Sequence, residues 1–478
     1  MIKPYMPSFE DVFAMTFDDY FLPAEDYVSN PFMGFVGYAH SDHMNQNDHT
    51  DRFEYTEPSM YDIERLIKLP FCDNIYIRVE WRDMQNEKGK LNVMPFFDRT
   101  VELCRKYNKP WSLRVMNTCT GTRYENSYPE FLQNKLKFNI VDNHEAAGRR
   151  LYYAEYDDIY LGYWDEFLCL LAERYDGDPL LSFADISGYG LWGEFHHSNT
   201  PELEKPEHGE VIVKLIDSHM DAFKKTPAVS MFTANWRPQD DEWKNPAQLH
   251  AFDRGAWIRR DMFYPFYSSV EYDVARQVQQ HGGALIFESG HYPDVTRSHR
   301  WDVQKMPYRD IFRMMLYYNS TYMGIGFNPW QAFRTTEGYY EQLKDASKTV
   351  GYRIYPTVVR SVNNSVDGQR INIAFKNDGV AYPPGQIELN LKFKNGVVLR
   401  HTLPGSFFAP GQMNYTDIVF PNEPNIHFAE GRPIKGNYFD LSATIKAGKK
   451  KFPLKFAVKA ADDASRENLR VIMPSVEK

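Results

Sequence analysis

The sequence predicts a (β/α)8 TIM barrel followed by a C-terminal antiparallel β-sandwich, divided into a catalytic barrel over residues 1–352 and a sandwich domain over 353–478. Three observations carry this. From about residue 33 to 350, short apolar runs alternate with amphipathic stretches, as parallel strands covered by helices do. The runs number eight, which favours closure over an open doubly wound sheet. The first of them, "GFVGYAH", enters a polar loop without the GxGxxG turn of a dinucleotide site.

The strands are expected at 33–39, 74–81, 111–117, 181–187, 228–236, 256–263, 284–289 and 322–330. Each is apolar or β-branched and bounded by polar, Gly or Pro residues. Helices are expected between them. Residues 94–109 place Phe97, Val101 and Leu103 near helical spacing and end in basic residues, which suit a helix C-terminus. Residues 161–175 set Leu161, Trp164, Leu168 and Leu171 on one face. Residues 270–283 close on a glycine pair suited to a left-handed cap. Residues 308–320 form a further helix candidate. After about residue 352 the period changes to two, in runs such as "QRINIAFKN", "QIELNLKFKNG" and "NYFDLSATIKAG" separated by turn signals, the pattern of a sandwich.

Composition narrows the function. A net charge of −9 argues against a nucleic-acid binder. No apolar run reaches the length of a membrane span, and "MIKPYMPSFEDVF" lacks the pattern of a secretory signal. Cys72, Cys104, Cys119 and Cys169 form no CxxC pair, so buried free thiols are expected rather than zinc or disulfides. The lysine cluster in "KAGKKKF" reads as a solvated strand edge. Aromatic content of 15%, with 32 tyrosines, suits either a sugar-binding surface or a tyrosine-rich core with satisfied hydroxyls.

In a TIM barrel the chemistry sits at the C-terminal ends of the strands. Those ends carry His40, Arg78, Arg114, Asn117, Trp192, Glu194, Asn235, Trp236, Asp261, Glu288, Tyr292 and Trp330. Carboxylates, arginines and aromatic rings dominate; there is no GxSxG elbow and no phosphate-cradling glycine loop. Two carboxylates on separated strands fit glycosidic hydrolysis, in which one protonates the departing oxygen while the other attacks the anomeric carbon or activates water against it. Arg78, Arg114 and Arg260 suit either orientation of a carboxylate or structural ion pairing. Trp236 and Trp330 suit sugar platforms, and Trp81 suits the core.

The segments "FLCLLAERYDGDPLLSFADISGYGLWGEFHH", "ALIFESGHY" and "IYIRVEWRDMQNEKGKLN" resemble the clan A glycoside hydrolases, retaining enzymes on a (β/α)8 barrel. More narrowly, "GYGLWGE" and "FKNDGVAYPPG" resemble a β-galactosidase-like bacterial group with a C-terminal sandwich. The resemblance spans most of the barrel and the start of the second domain. It implies that Glu194, after strand four, is the acid/base and Glu288, at the end of strand seven, the nucleophile, with an oligo- or polysaccharide substrate and no cofactor. Where the clan usually has Asn before the acid/base, to contact the sugar 2-hydroxyl, this chain has Gly193; Asn235 or Asn117 is then the candidate for that contact.

Two other readings stand beside it. Glu194 also fits a first-turn carboxylate at a helix start, and the protein a carbohydrate-binding barrel without catalysis. The loop "HSDHMNQNDHTD" with His196 and His197 suggests a metal-dependent hydrolase, but its spacing matches neither HExxH nor an EF-hand, so no metal site is expected.

Overall fold

The computed structural model describes residues 12–16, 21–40, 57–120, 124–143, 148–197, 200–234, 242–261, 268–289, 308–325, 330, 333, 337–364, 368–394, 396–419, 438–459 and 465–472. Eight parallel strands close into a barrel in chain order: Gly34–His40, Cys72–Glu80, Trp111–Met116, Leu181–Asp185, Ala228–Met231, Trp257–Arg260, Leu285–Glu288 and Tyr322–Gly324. The last pairs with the first, Tyr322 opposite Gly34. Six lie within the runs expected from the sequence, while Gly34–His40 and Cys72–Glu80 overrun theirs by one and two residues, so the fold class is the one predicted.

Two layers of core explain the closure. Ile75, Ile77, Val79, Leu113, Val115, Leu285 and Phe287 face outward and pack under the helices. Their neighbours Tyr76, Phe183, Trp257, Ile286 and Tyr322 face inward and fill the barrel floor. Being buried on both faces, these strands read as continuous apolar runs rather than alternating ones. The C-terminal strands differ: Gln386–Phe393 and Tyr438–Ala447 bury every second residue.

The covering helices include Pro95–Lys106, Asp158–Tyr175, Ser269–Gln280 and Tyr308–Tyr317, near the expected ranges. Asp157 caps the second of these by accepting from the Tyr160 backbone N–H, and Ser268 with Glu271 forms a capping box at the third. Helices Glu57–Ile67, His208–Ala222, Lys244–Asp253 and Tyr339–Ser347 lie among the same described residues. Among the described residues no helix is long and apolar enough to cross a membrane.

Beyond the barrel, two antiparallel sheets share one core through Ile371, Ile373 and Phe375 on one side and Ile387, Leu389, Leu441 and Ile445 on the other. The four-stranded sheet also takes in Val12–Thr16, which pairs with Ile354–Asn364. The barrel floor and the sandwich belong to the same apolar cluster.

Two surface expectations change. Cys169 is exposed on its helix, while Cys72, Cys104 and Cys119 are buried; all four are free. Lys450, expected at a solvated edge, is buried and donates to the carbonyls of Asp178 and Leu181 beneath strand four. Burial pushes its ammonium down to about 8. Many tyrosines follow the core reading: Tyr76, Tyr128, Tyr160, Tyr189 and Tyr352 are buried with bonded hydroxyls, whereas Tyr61, Tyr317 and Tyr415 are exposed.

Candidate active site

Period-two alternation along each strand decides which polar groups enter the barrel. On strand two Tyr76 and Arg78 turn inward between Ile75, Ile77 and Val79. Strand three sends in Arg114, in register with Arg78. Strand four contributes Asp185, strand six Arg259, with Asp261 just beyond its end, and strand seven Glu288. Two neighbouring guanidiniums in a buried space repel each other unless an anion lies between them. Glu194 is that anion: its Oε1 accepts from Arg78 Nη2 at 3.1 Å and from Arg114 Nη1.

The network is continuous. Arg114 Nη2 reaches Asp185 Oδ2 at 2.9 Å and Asp261 Oδ2 at 3.2 Å. Arg259 meets Asp185 Oδ2 at 2.8 Å, Asp261 Oδ1 at 3.3 Å and Glu288 Oε2 at 3.6 Å. Arg78 reaches two carboxylates, lying 3.1 Å from Glu194 and 3.9 Å from Glu288. Tyr38 donates to Glu288 Oε2 at 2.7 Å and accepts from Arg259 Nη1 at 3.1 Å. A side chain at Gly324 would collide with that tyrosine, its Cβ falling 2.9 Å from the Tyr38 ring, so glycine there leaves the phenol its path.

Charge follows from this geometry. Burial alone raises the Glu194 carboxyl, but Arg114, His196 and Arg78 outweigh it and hold the group well below the usual carboxylate range. Asp261 goes the other way: burial first, then the charge of Glu288, push it well above that range despite Arg259 and Arg114. The surroundings therefore favour the anion of Glu194 and a proton on Asp261.

The loop from Gly188 to His197 aims Glu194. It is folded back through left-handed residues, with φ of 53° at Trp192, 71° at Gly193 and 59° at Phe195. Non-glycine residues pay conformational energy in that region, so the surroundings must impose it. Asn117 Nδ2 donates to the Gly188 carbonyl at 3.1 Å, Trp192 N–H to Thr118 O at 2.8 Å and Gly190 N–H to the Tyr156 hydroxyl at 2.9 Å. Beyond the glutamate, His197 N–H bonds Glu204, which pairs with buried Lys244 at 2.8 Å. Position 193 has no space for an asparagine: its Cβ would lie 2.7 Å from that of Ser187. The glycine is required by the loop's path.

Of the residues singled out from sequence, Glu194, Glu288, Arg78, Arg114 and Asp261 come together in this network. Trp192 lies half-buried beside it, its ring edge-on to His196. Two expectations need correction, for Asn117 and Trp330, and for Arg260 the ion-pair alternative is the one taken. Asn117 is fully buried and spends its amide on Tyr128, Tyr160 and Gly188, so it shapes the loop instead of meeting a sugar. Trp330 donates to the Asp62 carbonyl and is covered by Arg65, 3.9 Å above its ring, which removes it as an open platform. Arg260 points outward to Glu271 at 2.7 Å, and Arg259 takes the inward place. Trp81 is core as expected, edge-on to Trp164. The His40 backbone ends strand one, but its side chain, together with Asn235, Trp236, Tyr292 and the histidine-rich loop, lies outside the described residues. Among those that are described, no cluster of His, Cys, Asp or Glu is arranged to hold a metal ion.

Sequence reasoning missed Asp185 and Tyr76 as parts of the site, and it places Tyr38 and Arg259 at strand ends without giving them a role. The signal was present in strand parity: Arg259 shares a face with Asp261 in "WIRRD", and Arg260 does not.

No family model matches the chain, and no curated protein matches it. Among solved structures it is similar to endo-glycoceramidase II from Rhodococcus sp., with 11% identity, 84% of this chain and 100% of that one covered, and a TM-score of 0.41. It is similar too to the catalytic domain of β-amylase from Paenibacillus polymyxa, with 9% identity, 66% and 97% covered, and a TM-score of 0.41. The exo-β-1,4-mannosidase Op5Man5 from Opitutaceae bacterium strain TAV5 gives 10% identity, 67% and 61% covered, and a TM-score of 0.40. At these values the likeness carries no argument about activity. The β-galactosidase-like group is not among these neighbours.

Proposed function

We propose that the protein is a retaining glycoside hydrolase acting on an oligo- or polysaccharide, with Glu194 as acid/base and Glu288 as nucleophile. The observation that carries this reading is that two carboxylates, after strands four and seven of a closed barrel, flank one guanidinium, that of Arg78. Glu288 attacks the anomeric carbon as the glycosidic bond breaks and Glu194 gives its proton to the leaving oxygen. Water then displaces the sugar from Glu288, losing its proton to Glu194. Tyr38 and Arg259 hold the Glu288 carboxylate in place for attack. Residues 1–352 carry the chemistry, and the sheets of 353–478 brace the barrel floor.

The test is hydrolysis of a panel of 2,4-dinitrophenyl and phenyl β-glycosides of glucose, galactose, mannose and xylose. Glu288→Gln, with its fold intact by circular dichroism, is expected to lose turnover; unchanged turnover overturns the assignment.

One observation favours a second reading, a carbohydrate-binding barrel without catalysis. Arg114, His196 and Arg78 favour the charged form of Glu194, whereas an acid must carry a proton when substrate arrives. Saturable glycan binding with no product after long incubation would support that reading.

A further inference from the structure

We propose that His196 is the proton relay of Glu194, carrying protons between its carboxyl and solvent at the barrel mouth. The inference rests on the hydrolase reading above and adds a residue to it.

The argument begins with the two oxygens of Glu194. Oε1 accepts from both Arg78 and Arg114, so a proton has no place there. Oε2 is the oxygen that can be protonated, and His196 Nε2 lies 3.2 Å from it. The two side chains differ in access: that of Glu194 is 8% exposed and that of His196 is 32% exposed. The histidine thus spans the step from a buried carboxyl to water. Its position is set by the same loop that sets the glutamate, since the His196 carbonyl accepts from Leu191 N–H at 2.7 Å. The Trp192 ring borders it edge-on, with centroids 6.0 Å apart. The charged and titratable groups around it include Glu194 and, next along the chain, His197, which is fully buried against Glu204 and Lys244.

The proton balance closes. With substrate bound, the relay starts from the His196 imidazolium, whose Nε2 proton passes to Glu194 Oε2 and leaves a neutral ring. Glu194 gives it to the glycosidic oxygen as that bond to the anomeric carbon breaks and the bond to Glu288 forms. In the second half, water attacks the anomeric carbon, the bond to Glu288 breaks, and the water's proton goes to Glu194 Oε2. It returns from there to His196, so substrate and one water become two products. His196 touches no reacting carbon or oxygen of the sugar; it acts through Glu194.

The experiment compares wild type with His196→Gln on the same glycoside panel. A phenolate needs protonation to leave and a 2,4-dinitrophenolate does not. The relay predicts that kcat/KM, which reports the steps up to departure of the leaving group, falls by about a hundredfold on the phenyl glycoside, within the range that proton transfer contributes. The dinitrophenyl glycoside is spared to within about threefold, and added imidazole restores part of the phenyl rate. Equal losses on both leaving groups, or no loss on either, overturn the relay while leaving the hydrolase reading standing. A wild-type protein inert on the whole panel overturns both. A measurement needing no substrate runs alongside: in carboxyl-labelled protein the Glu194 resonance is expected to titrate at higher pH in His196→Gln, because a hydrogen bond favouring the anion is gone. A titration identical in the two proteins counts against the relay.

Discussion

Tyr38 donates its phenolic hydrogen to Oε2 of Glu288 over 2.7 Å, joining the first barrel strand to the seventh inside the barrel. The same hydroxyl accepts from Arg259, so it orients the carboxylate and links it to the arginine network. Burial and the charge of Glu288 push the phenol well above its usual range, so it remains a donor at every working pH. Tyr38→Phe removes one charge-assisted hydrogen bond, a loss of about 1.5–3 kcal/mol. A fall in kcat/KM of roughly tenfold to a hundredfold is expected, with the thermal midpoint lowered only modestly. Steady-state kinetics on the glycoside panel, beside a melting curve, checks this.

Arg114 is bonded to Asp185, Glu194 and Asp261 at once, with 2% of its side chain exposed. Arg114→Met leaves these buried carboxyls short of a cation. Breaking a buried pair from one side costs about 3–5 kcal/mol. Urea unfolding is expected to show a midpoint lowered in that proportion with unchanged slope. A variant as stable as wild type would mean that the carboxyls find other partners.

Gly193 tests the loop that aims Glu194. With φ at 71° and a Cβ falling 2.7 Å from Ser187, alanine meets both backbone strain and a collision. Gly193→Ala is expected to cost about 1–3 kcal/mol of stability. It should also lower kcat more than it raises KM, because Glu194 is displaced while the rest of the site is not.

His219 lies under the same loop. Its Nε2 accepts from Ser187 N–H at 3.3 Å and its Nδ1 faces the Leu215 carbonyl at 2.8 Å, an arrangement made by the neutral ring. Burial lowers it to about 4. In the unfolded chain histidine titrates near 6.5. Between those values the unfolded state binds more protons than the folded one, so stability is full above pH 6.5 and falls as pH drops towards 4. The slope from this one group is at most about 1.4 kcal/mol per pH unit. His208, lowered by burial to about 4 as well, adds in the same direction. Denaturant midpoints across pH 4–7 should rise with pH, and His219→Gln should flatten the rise.

The barrel was legible because each strand is buried on both faces and bounded by turn residues, which leaves a run such as "NIYIRVE" little choice of conformation. Glu194 and Glu288 stood out because a carboxylate at the end of an apolar strand has little structural use. What the sequence did not disclose was which side of a strand end each polar group takes. Arg260 and Arg259 are adjacent, and only the pairing of Arg260 with Glu271 on the covering helix separates them. Nor does a sequence show that Asn117 and Trp330 are consumed by partners distant along the chain, Gly188 for one and Asp62 for the other. Short strands such as Val12–Thr16 escape notice because their partner, Ile354–Asn364, lies more than three hundred residues away.

The central claim is that Glu288 becomes covalently bonded to the sugar. The most direct measurement is the mass of its peptide after incubation with 2,4-dinitrophenyl 2-deoxy-2-fluoro-β-glycosides of the same four sugars, in which the fluorine slows release of the intermediate. The account predicts a proteolytic fragment carrying one fluoro-sugar on Glu288, and none in Glu288→Gln. Hydrolysis of the parent glycosides without any adduct, or an adduct on Glu194 instead, would contradict it.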